Sequence, residues 1–147
     1  MAAEAPPLRR DTLPLRSETM ALRCEDDMVR VRQTVRAWMV GQGFSLVEQT
    51  KMVTATSELA RNALVYGGGG TARLALLAEG GRRAVQVTLE DQGPGIANVE
   101  QALTDGYSTG SNASLGLGLG GARRLVNEFE IWTEPGRGTR VTIARWK

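Results

Sequence analysis

In the first half of the chain, apolar residues recur every three or four positions, which is the spacing of one face of a helix. One such run predicts a helix that is capped by Asp26 or Asp27 and continues to about Gln42. A second run follows Ser45, which has a glutamate three residues later as in a capping box, and it stops at the glycines of residues 67–70. The chain therefore begins with two predicted helices joined by a short turn.

The rest of the chain is dominated by runs typical of β-strands, with two shorter helices between them. Gly80 and Gly81 separate two such runs and predict a hairpin turn. The predicted strands are 18–24, 72–79, 83–90, 130–134 and 138–146, and the predicted helices are 98–103 and 117–129. Tight turns between neighbouring strands favour antiparallel pairing. We therefore expect an α+β two-layer sandwich with a mostly antiparallel sheet and the helices on one face.

Length and composition indicate a single folded domain. The chain has 147 residues, of which 41% are hydrophobic and 23% are charged, so it can bury a core without disulfides. Prolines and charges predict that residues 1–14 form a flexible leader, which leaves residues 15–147 as the domain. The lone Cys24 cannot form an internal disulfide, and we expect it to be a small apolar strand residue in a reducing compartment.

Charge and missing residue types exclude several kinds of protein. The formal net charge is +2 and the basic groups are scattered, so no nucleic-acid partner is expected. No apolar run approaches the roughly 18 residues that suggest a membrane-spanning helix, and we expect a cytoplasmic protein that binds no membrane. The chain has no histidine, which excludes histidine phosphotransfer on this chain, histidine metal ligands and a Ser-His triad.

An acid and an amide lie one turn apart in the middle of the second predicted helix. Glu58 and Asn62 are four positions apart, so they share a helical face with Cβ atoms about 5–6 Å apart. The carboxylate is a candidate proton acceptor, and the amide oxygen is a candidate ligand for a hard cation. Taken alone, the pair is equally compatible with an ordinary solvated helix face.

Two glycine-containing stretches follow later in the chain. Asp91 ends a predicted strand and precedes Gly93 and Gly95, which permit tight turns and close approach of a ligand to the main chain. A carboxylate there can accept from the exocyclic amine of adenine, and an Asx turn is the alternative. Residues 116–121 open a helix, so free backbone N–H groups there favour a phosphate, with a flexible hinge as the alternative.

These motifs occur in the order found in the GHKL (Bergerat-fold) ATPases, which the chain resembles over about residues 18–147. Within that family, the small single domain and the stretches 57–62, 90–96 and 105–109 are most similar to the serine-protein kinases. The closest resemblance is to the switch kinases of the stressosome, which are relatives of the anti-sigma factor kinases. The motifs that carry the resemblance are Glu58-x-x-x-Asn62, Asp91-x-Gly93-x-Gly95, Gly116-x-Gly118-x-Gly120 and Gly138-Thr139.

The resemblance implies a Mg²⁺- and ATP-dependent serine/threonine-protein kinase whose substrate and scaffold are STAS-domain proteins. In such a kinase Glu58 would act as general base, and Asn62 would hold Mg²⁺. Asp91 would recognise adenine, and residues 105–115 would close over the nucleotide as a lid. The implied nucleotide-binding residues are Asn62, Asp91, Gly93, Gly95, Ile96, Gly116, Leu117, Gly118, Leu119, Gly120 and Thr139.

Two other functions stay open on the sequence. The chain could be mainly a partner-switching module that leaves a STAS scaffold and activates a phosphatase, with ATP in a structural role. It could also be an anti-sigma factor that sequesters a sigma subunit, because the same core serves that branch of the family. A nucleotide hydrolase of the gyrase or chaperone kind is not expected, because those proteins need further domains.

Overall fold

A computed structural model describes residues 13–103 and 118–147 of the chain. The helices and strands follow one another along the chain as β1 (Arg16–Leu22), α1 (Glu25–Gly41), α2 (Leu46–Val65), β2 (Gly70–Glu79), β3 (Arg82–Asp91), α3 (Val99–Ala102), α4 (Gly118–Arg124), β4 (Glu128–Glu134) and β5 (Gly138–Trp146). The predicted leader, residues 1–14, lies outside the described residues except for its last two positions. The predicted lid, residues 105–115, lies entirely outside them.

The five strands form one sheet in the order β1-β2-β3-β5-β4. Every pair of neighbours is antiparallel. Because β5 lies between β3 and β4, the last residue of β3 is next to the beginning of β5, and Asp91 pairs with Thr139. The predicted α+β fold with an antiparallel sheet is confirmed.

The core lies between the sheet and the two long helices. Alternate residues of β2, β3 and β5 belong to the main apolar cluster, which places them on one face of the sheet, and α1 and α2 contribute the opposite side. Burying one such large side chain stabilises the fold by about 1.5–3 kcal/mol. The largest fully buried side chains include Leu22, Met39, Met52, Leu74, Ile143, Val31 and Val35.

The second helix begins as the sequence predicts. The Ser45 hydroxyl accepts from the backbone N–H of Glu48 at 3.1 Å, and the Glu48 carboxylate accepts from the N–H of Ser45 at 3.2 Å. This hydrogen bond from the Ser45 backbone is the main reason that the pKa of Glu48 lies below its usual value. The predicted capping box is confirmed, and it fixes where α2 leaves the turn.

The first helix begins differently from the prediction. Its N-cap residue is Cys24, whose side chain makes no capping hydrogen bond, so neither Asp26 nor Asp27 is the cap. The Asp27 carboxylate instead reaches back and accepts from the backbone N–H of Arg23 at 2.8 Å. The strand β1 ends at Leu22, and the exposed Cys24 is therefore a helix-end residue, which corrects the prediction that it lies in a strand.

The predicted helix over residues 117–129 is also wrong in its extent. Within the described residues, α4 spans only Gly118–Arg124. Phe129 lies in β4, where it pairs with Ile143 of β5 and packs against the main core. Pairing along the edge of the sheet therefore overrides the helical spacing at the end of this segment. None of the helices that the structure describes is long and apolar enough to cross a membrane.

Candidate functional site

Three polar side chains form a row across the end of the sheet. Asp91 of β3 pairs with Thr139 of β5, and Thr139 pairs with Thr133 of β4. Directly paired residues project to the same face. This is the helix-covered face, because Leu89 and Val141 lie two positions away on the same strands and belong to the core. The row therefore lies where the helix layer and the strand ends meet.

The loop of residues 92–96 is attached to both ends of this row. The backbone N–H of Gly93 donates to the Asp91 carboxylate at 2.9 Å. The backbone N–H of Ile96 donates to the Thr133 hydroxyl at 2.8 Å. The Asp91–Gly93 contact is an Asx turn, the alternative that the sequence left open. That turn also orients the carboxylate, so it is compatible with a binding role.

Glycine allows the end of α2 to touch this loop. A Cβ on Gly67 would lie 2.3 Å from Cγ of Asp91, and a Cβ on Gly93 would lie 2.5 Å from Cα of Gly67. Side chains cannot occupy such distances, so both positions need glycine for close packing. The backbone N–H of Gly67 also donates to the carbonyl of Asn62 at 3.2 Å. The helix that carries Asn62 therefore ends directly against Asp91.

Two further glycines are needed for the backbone around the row. Gly95 has a φ of +77°, and a Cβ there would lie 2.4 Å from the carbonyl oxygen of Glu134. Gly138 has a φ of +123°, and a Cβ there would lie 2.1 Å from the carbonyl oxygen of Asp91. Both positions combine a left-handed conformation with backbone contact, so any L side chain would displace the loop or the strand.

The hydrogen bonds of the Asp91 carboxylate do not fully offset the effect of its burial. Burial is the largest influence on it and raises its pKa above the ordinary value of 3.8. Hydrogen bonds from the backbone of Gly93 and Thr139 act in the opposite direction, and the negative charge of Glu90 raises the pKa further. A partly buried carboxylate of this kind is suited to accept from a neutral ligand donor, such as an aromatic amine.

The acid and amide of α2 lie on the same helix, one turn apart. The Glu58 side chain is only 4% exposed, whereas Asn62 is half-buried near the end of the helix. A glutamate is rarely buried to this extent unless its side chain is paired. The neighbouring hydroxyls of Thr56 and Ser57 donate to backbone carbonyls within the helix. Their hydrogen bonds are local, in contrast to the long-range contacts of the row.

The predicted phosphate-binding stretch is only partly described. Gly116 and Leu117 lie outside the described residues. Leu119 is 6% exposed and belongs to the core, and Gly120 is also buried. The helix α4 contacts α2. Gly118 begins α4 with a φ of +57°. The structure thus brings the described part of this stretch to the helix that carries Glu58.

The described side chains do not by themselves form a complete metal site. Among residues 13–103 and 118–147, no group of three or more Cys, Asp or Glu side chains could hold one. Mg²⁺ is commonly bound through one or two protein oxygens, with waters and substrate phosphates completing its six ligands. The amide oxygen of Asn62, near the end of α2, fits this kind of site.

Sequence reasoning did not identify two residues of the site. Gly67 was interpreted only as part of the glycine run that ends α2, and Thr133 only as a strand residue. A signal for Thr133 is present in the sequence, because a tight hairpin around Pro135 places position 133 opposite Thr139. No comparable local signal identifies Gly67, since its partner Asp91 is distant in the sequence.

Comparison with known proteins assigns the class. The model of the histidine kinase-like ATPase domain matches residues 20–145, and the chain belongs to this family. The serine/threonine-protein kinase RsbT of Bacillus subtilis is 38% identical over 122 residues, which cover 83% of this chain and 90% of RsbT. An anti-sigma F factor of Anoxybacillus flavithermus is 29% identical over 119 residues, covering 78% of this chain and 80% of that protein. The predicted class, an ATP-binding serine/threonine-protein kinase, is confirmed.

Solved structures agree on the fold. The RsbU and RsbW domains of a Mycobacterium tuberculosis protein superpose with a TM-score of 0.60 at 21% identity, over 90% of this chain and 32% of that one. The SiaB–SiaC complex of Pseudomonas aeruginosa contains a chain with a TM-score of 0.50 at 14% identity, covering 91% of each chain. At these identities the likeness concerns the fold alone.

Proposed function

We propose that this protein is a Mg²⁺-ATP-dependent kinase that phosphorylates a serine or threonine of a STAS-domain protein, within a cytoplasmic partner-switching module of the stressosome type. The similarity to RsbT over 83% of the chain supports the proposal. The structural observation that carries it is the contact of Gly67 with Asp91 and Gly93. This contact joins the helix of Glu58 and Asn62 to the strand end that carries Asp91, so one nucleotide can reach both.

At the base-binding end, the Asp91 carboxylate would accept from the 6-amino group of adenine. Gly93 and Gly95 would let the ring approach the main chain, and Ile96 would contribute apolar contact. Thr139, next to Asp91 in the row, would provide a second polar group for the ring or for a bridging water. In water-excluded surroundings the mismatch of a single donor or acceptor is expensive, so this end would set base specificity.

At the phosphate end, backbone N–H groups of Gly116, Leu117, Gly118, Leu119 and Gly120 would face the phosphates. Burial of Leu119 in the core would anchor this stretch against the protein. Asn62 would offer its amide oxygen to Mg²⁺, which supplies charge neutralisation to the phosphates when bound. These groups would hold the γ-phosphate in line with the incoming hydroxyl, and positioning of this kind accounts for most of the catalysis in phosphoryl transfer.

Glu58 would be the general base. As the serine or threonine oxygen bonds to the γ-phosphorus, the bond from that phosphorus to the β,γ-bridging oxygen breaks and ADP leaves. The proton of the hydroxyl passes to the Glu58 carboxylate. Burial of Glu58 at 4% exposure limits competition from water for this role.

A specific similarity favours a second function. Anti-sigma F factors are 25–29% identical to this chain over about 80% of their lengths. Under this alternative, the chain would bind a sigma subunit, and phosphorylation of an antagonist would control its release. A related possibility is that release from a STAS scaffold lets the chain activate a phosphatase.

Intact-protein mass spectrometry tests the kinase proposal. The chain is mixed with Mg²⁺-ATP and the STAS-domain protein encoded nearest to its gene, and the mass of the latter is followed with time. We expect a phosphate-sized gain with the parent chain, and a rate at least about 100-fold lower with Glu58→Gln and with Asn62→Ala. The matched control is Glu25→Gln, because Glu25 is an exposed carboxylate in the first turn of α1.

The outcomes separate the alternatives. Equal rates for Glu58→Gln and the parent would refute the assignment of the base. A stable complex without any mass gain would favour the binding module, and a stable complex with a sigma factor alone would favour the anti-sigma function.

A further inference from the structure

The hydroxyl of Thr133 has three hydrogen-bonding partners. It accepts from the backbone N–H of Ile96 at 2.8 Å and lies 3.1 Å from the carbonyl oxygen of Gly138. It also lies 2.9 Å from the hydroxyl oxygen of Thr139, where geometry alone allows either atom to donate. The three partners come from the 92–96 loop and from β5. Because Thr133 itself lies in β4, its hydroxyl joins three segments of the site.

Counting protons decides the direction of the Thr133–Thr139 contact. A hydroxyl has one proton and two lone pairs. The N–H of Ile96 can only donate and occupies one lone pair of Thr133, whereas the carbonyl of Gly138 can only accept and takes the Thr133 proton. All three contacts are made together only if Thr139 donates to the remaining lone pair. The Thr139 oxygen then has no proton for a ligand and can act only as an acceptor.

We propose that Thr133 is a positioning residue that fixes Thr139 as an acceptor and thereby contributes to selection of a 6-aminopurine nucleotide. This inference rests on the proposed binding of the base beside Asp91. The 6-amino group of adenine is a donor, whereas the corresponding oxygen of guanine or hypoxanthine is an acceptor. With Thr139 held by Thr133, both Asp91 and Thr139 present acceptors towards the ring. A 6-oxo purine would therefore meet oxygen lone pairs at both groups.

Replacing the Thr133 hydroxyl tests this role. Thr133→Val keeps the shape of the side chain but releases the proton of Thr139, which can then donate into the site. Dissociation constants for ATP and inosine triphosphate are measured by calorimetry, because inosine triphosphate carries an acceptor oxygen in place of the 6-amino donor; its N1 also carries a proton that N1 of adenine lacks. We expect the preference for ATP to fall about fivefold to tenfold in Thr133→Val and to be retained in Thr133→Ser.

A matched control comes from the other face of the sheet. The hydroxyls of Thr142 in β5 and Thr88 in β3 lie 3.1 Å apart and are buried, so Thr142→Val, like Thr133→Val, removes a threonine hydroxyl that is paired with another threonine. This variant should leave the ratio of the two dissociation constants unchanged. A mere loss of protein stability would weaken the binding of both nucleotides together and would not change the ratio of the two dissociation constants in either variant.

A double-mutant cycle with Thr139→Val tests whether Thr133 acts through Thr139. Once the Thr139 hydroxyl is absent, Thr133→Val should change the ratio by less than about twofold. An unchanged ratio in Thr133→Val alone, or equal effects in both backgrounds, would overturn the inference. Failure of the parent chain to bind ATP would instead overturn the proposed nucleotide site, so the two failures are distinguishable.

Discussion

Two carboxylates near the same end of the sheet have opposite environments. Asp27, 9% exposed in the first turn of α1, accepts from the backbone of Arg23 and forms an ion pair with Arg30. The backbone hydrogen bond is the main cause of its lowered pKa, and the cation reinforces it. Asp91 also accepts from backbone N–H groups, but burial dominates there and its pKa is raised.

We infer from this difference that Asp27 serves the fold, whereas Asp91 is suited to the binding role proposed for it. The folded protein stabilises the charge of Asp27, so that carboxylate contributes to folding and has little capacity left for a ligand. The charge of Asp91 is disfavoured by folding, and a ligand that donates to it can recover part of that free energy. Both residues occupy the ends of regular elements, and their surroundings in the fold determine whether the charge is stabilised or disfavoured.

The largest expected effect comes from neutralising each acid in turn. In Asp91→Asn the amide can still accept from Gly93, but its NH₂ group would oppose the amine of adenine. We expect ATP affinity to fall about 10- to 100-fold, with unfolding stability unchanged or slightly raised. In Asp27→Asn we expect the reverse pattern, with a lower Tm and unchanged ATP affinity. Calorimetric titration and thermal unfolding of both variants provide the measurements.

Similar effects of the two substitutions would contradict the distinction between Asp27 and Asp91. If Asp27→Asn weakened ATP binding as much as Asp91→Asn does, the distinction between the two acids would be wrong. Equal loss of stability in the two variants would likewise show that folding, and not a ligand, uses the Asp91 charge.

A smaller effect is expected from changing Gly67, which packs against Asp91. In Gly67→Ala the new Cβ would lie 2.3 Å from Cγ of Asp91, so the carboxylate or the end of α2 must shift. Overpacking of this kind costs about 1–3 kcal/mol, and ATP affinity should fall with it. Gly41→Ala is the matched control, since Gly41 ends α1 with nothing within 4 Å of its added Cβ. That variant should gain up to about 1 kcal/mol of stability. Chemical denaturation measures the stability of both variants. Parent-like ATP affinity in Gly67→Ala would show that close packing of Gly67 against Asp91 is not needed for binding.

Local chemistry determines which of these features the sequence reveals. The capping box of Ser45 and Glu48 depends on neighbours three residues apart, and it was predicted correctly. The helix predicted through Phe129 was wrong because pairing with Ile143 in β5 decides that residue's conformation. The contact of Thr133 with the 92–96 loop could not be predicted from the sequence because Ile96, which donates to Thr133, is 37 positions away. Asp91 was identified because it ends a strand and precedes two glycines, but the direction of its pKa shift follows only from packing.

The smallest expected effect is the pH dependence of the two acids, which should have opposite signs. Because the folded-state pKa of Asp91 is raised above 3.8, the folded protein binds more protons than the unfolded chain in the interval between these values. Its contribution to stability is complete below 3.8 and is lost as the pH rises through the raised pKa. For Asp27 the folded-state pKa is below 3.8, so its contribution is present above 3.8 and is lost as the pH falls through the lowered value.

Denaturant unfolding of the parent, Asp91→Asn and Asp27→Asn between about pH 7 and about pH 2 isolates each contribution. As the pH falls, the parent should gain stability relative to Asp91→Asn. ATP affinity of the parent should decline over the same interval, because a protonated carboxyl no longer presents two acceptor oxygens. Relative to Asp27→Asn, the parent should retain its advantage until the pH falls below 3.8. A parent and Asp91→Asn that respond identically to pH would show that burial does not disfavour the Asp91 charge, and the contrast between the two acids would then rest on the contacts of Asp27 with Arg23 and Arg30 alone.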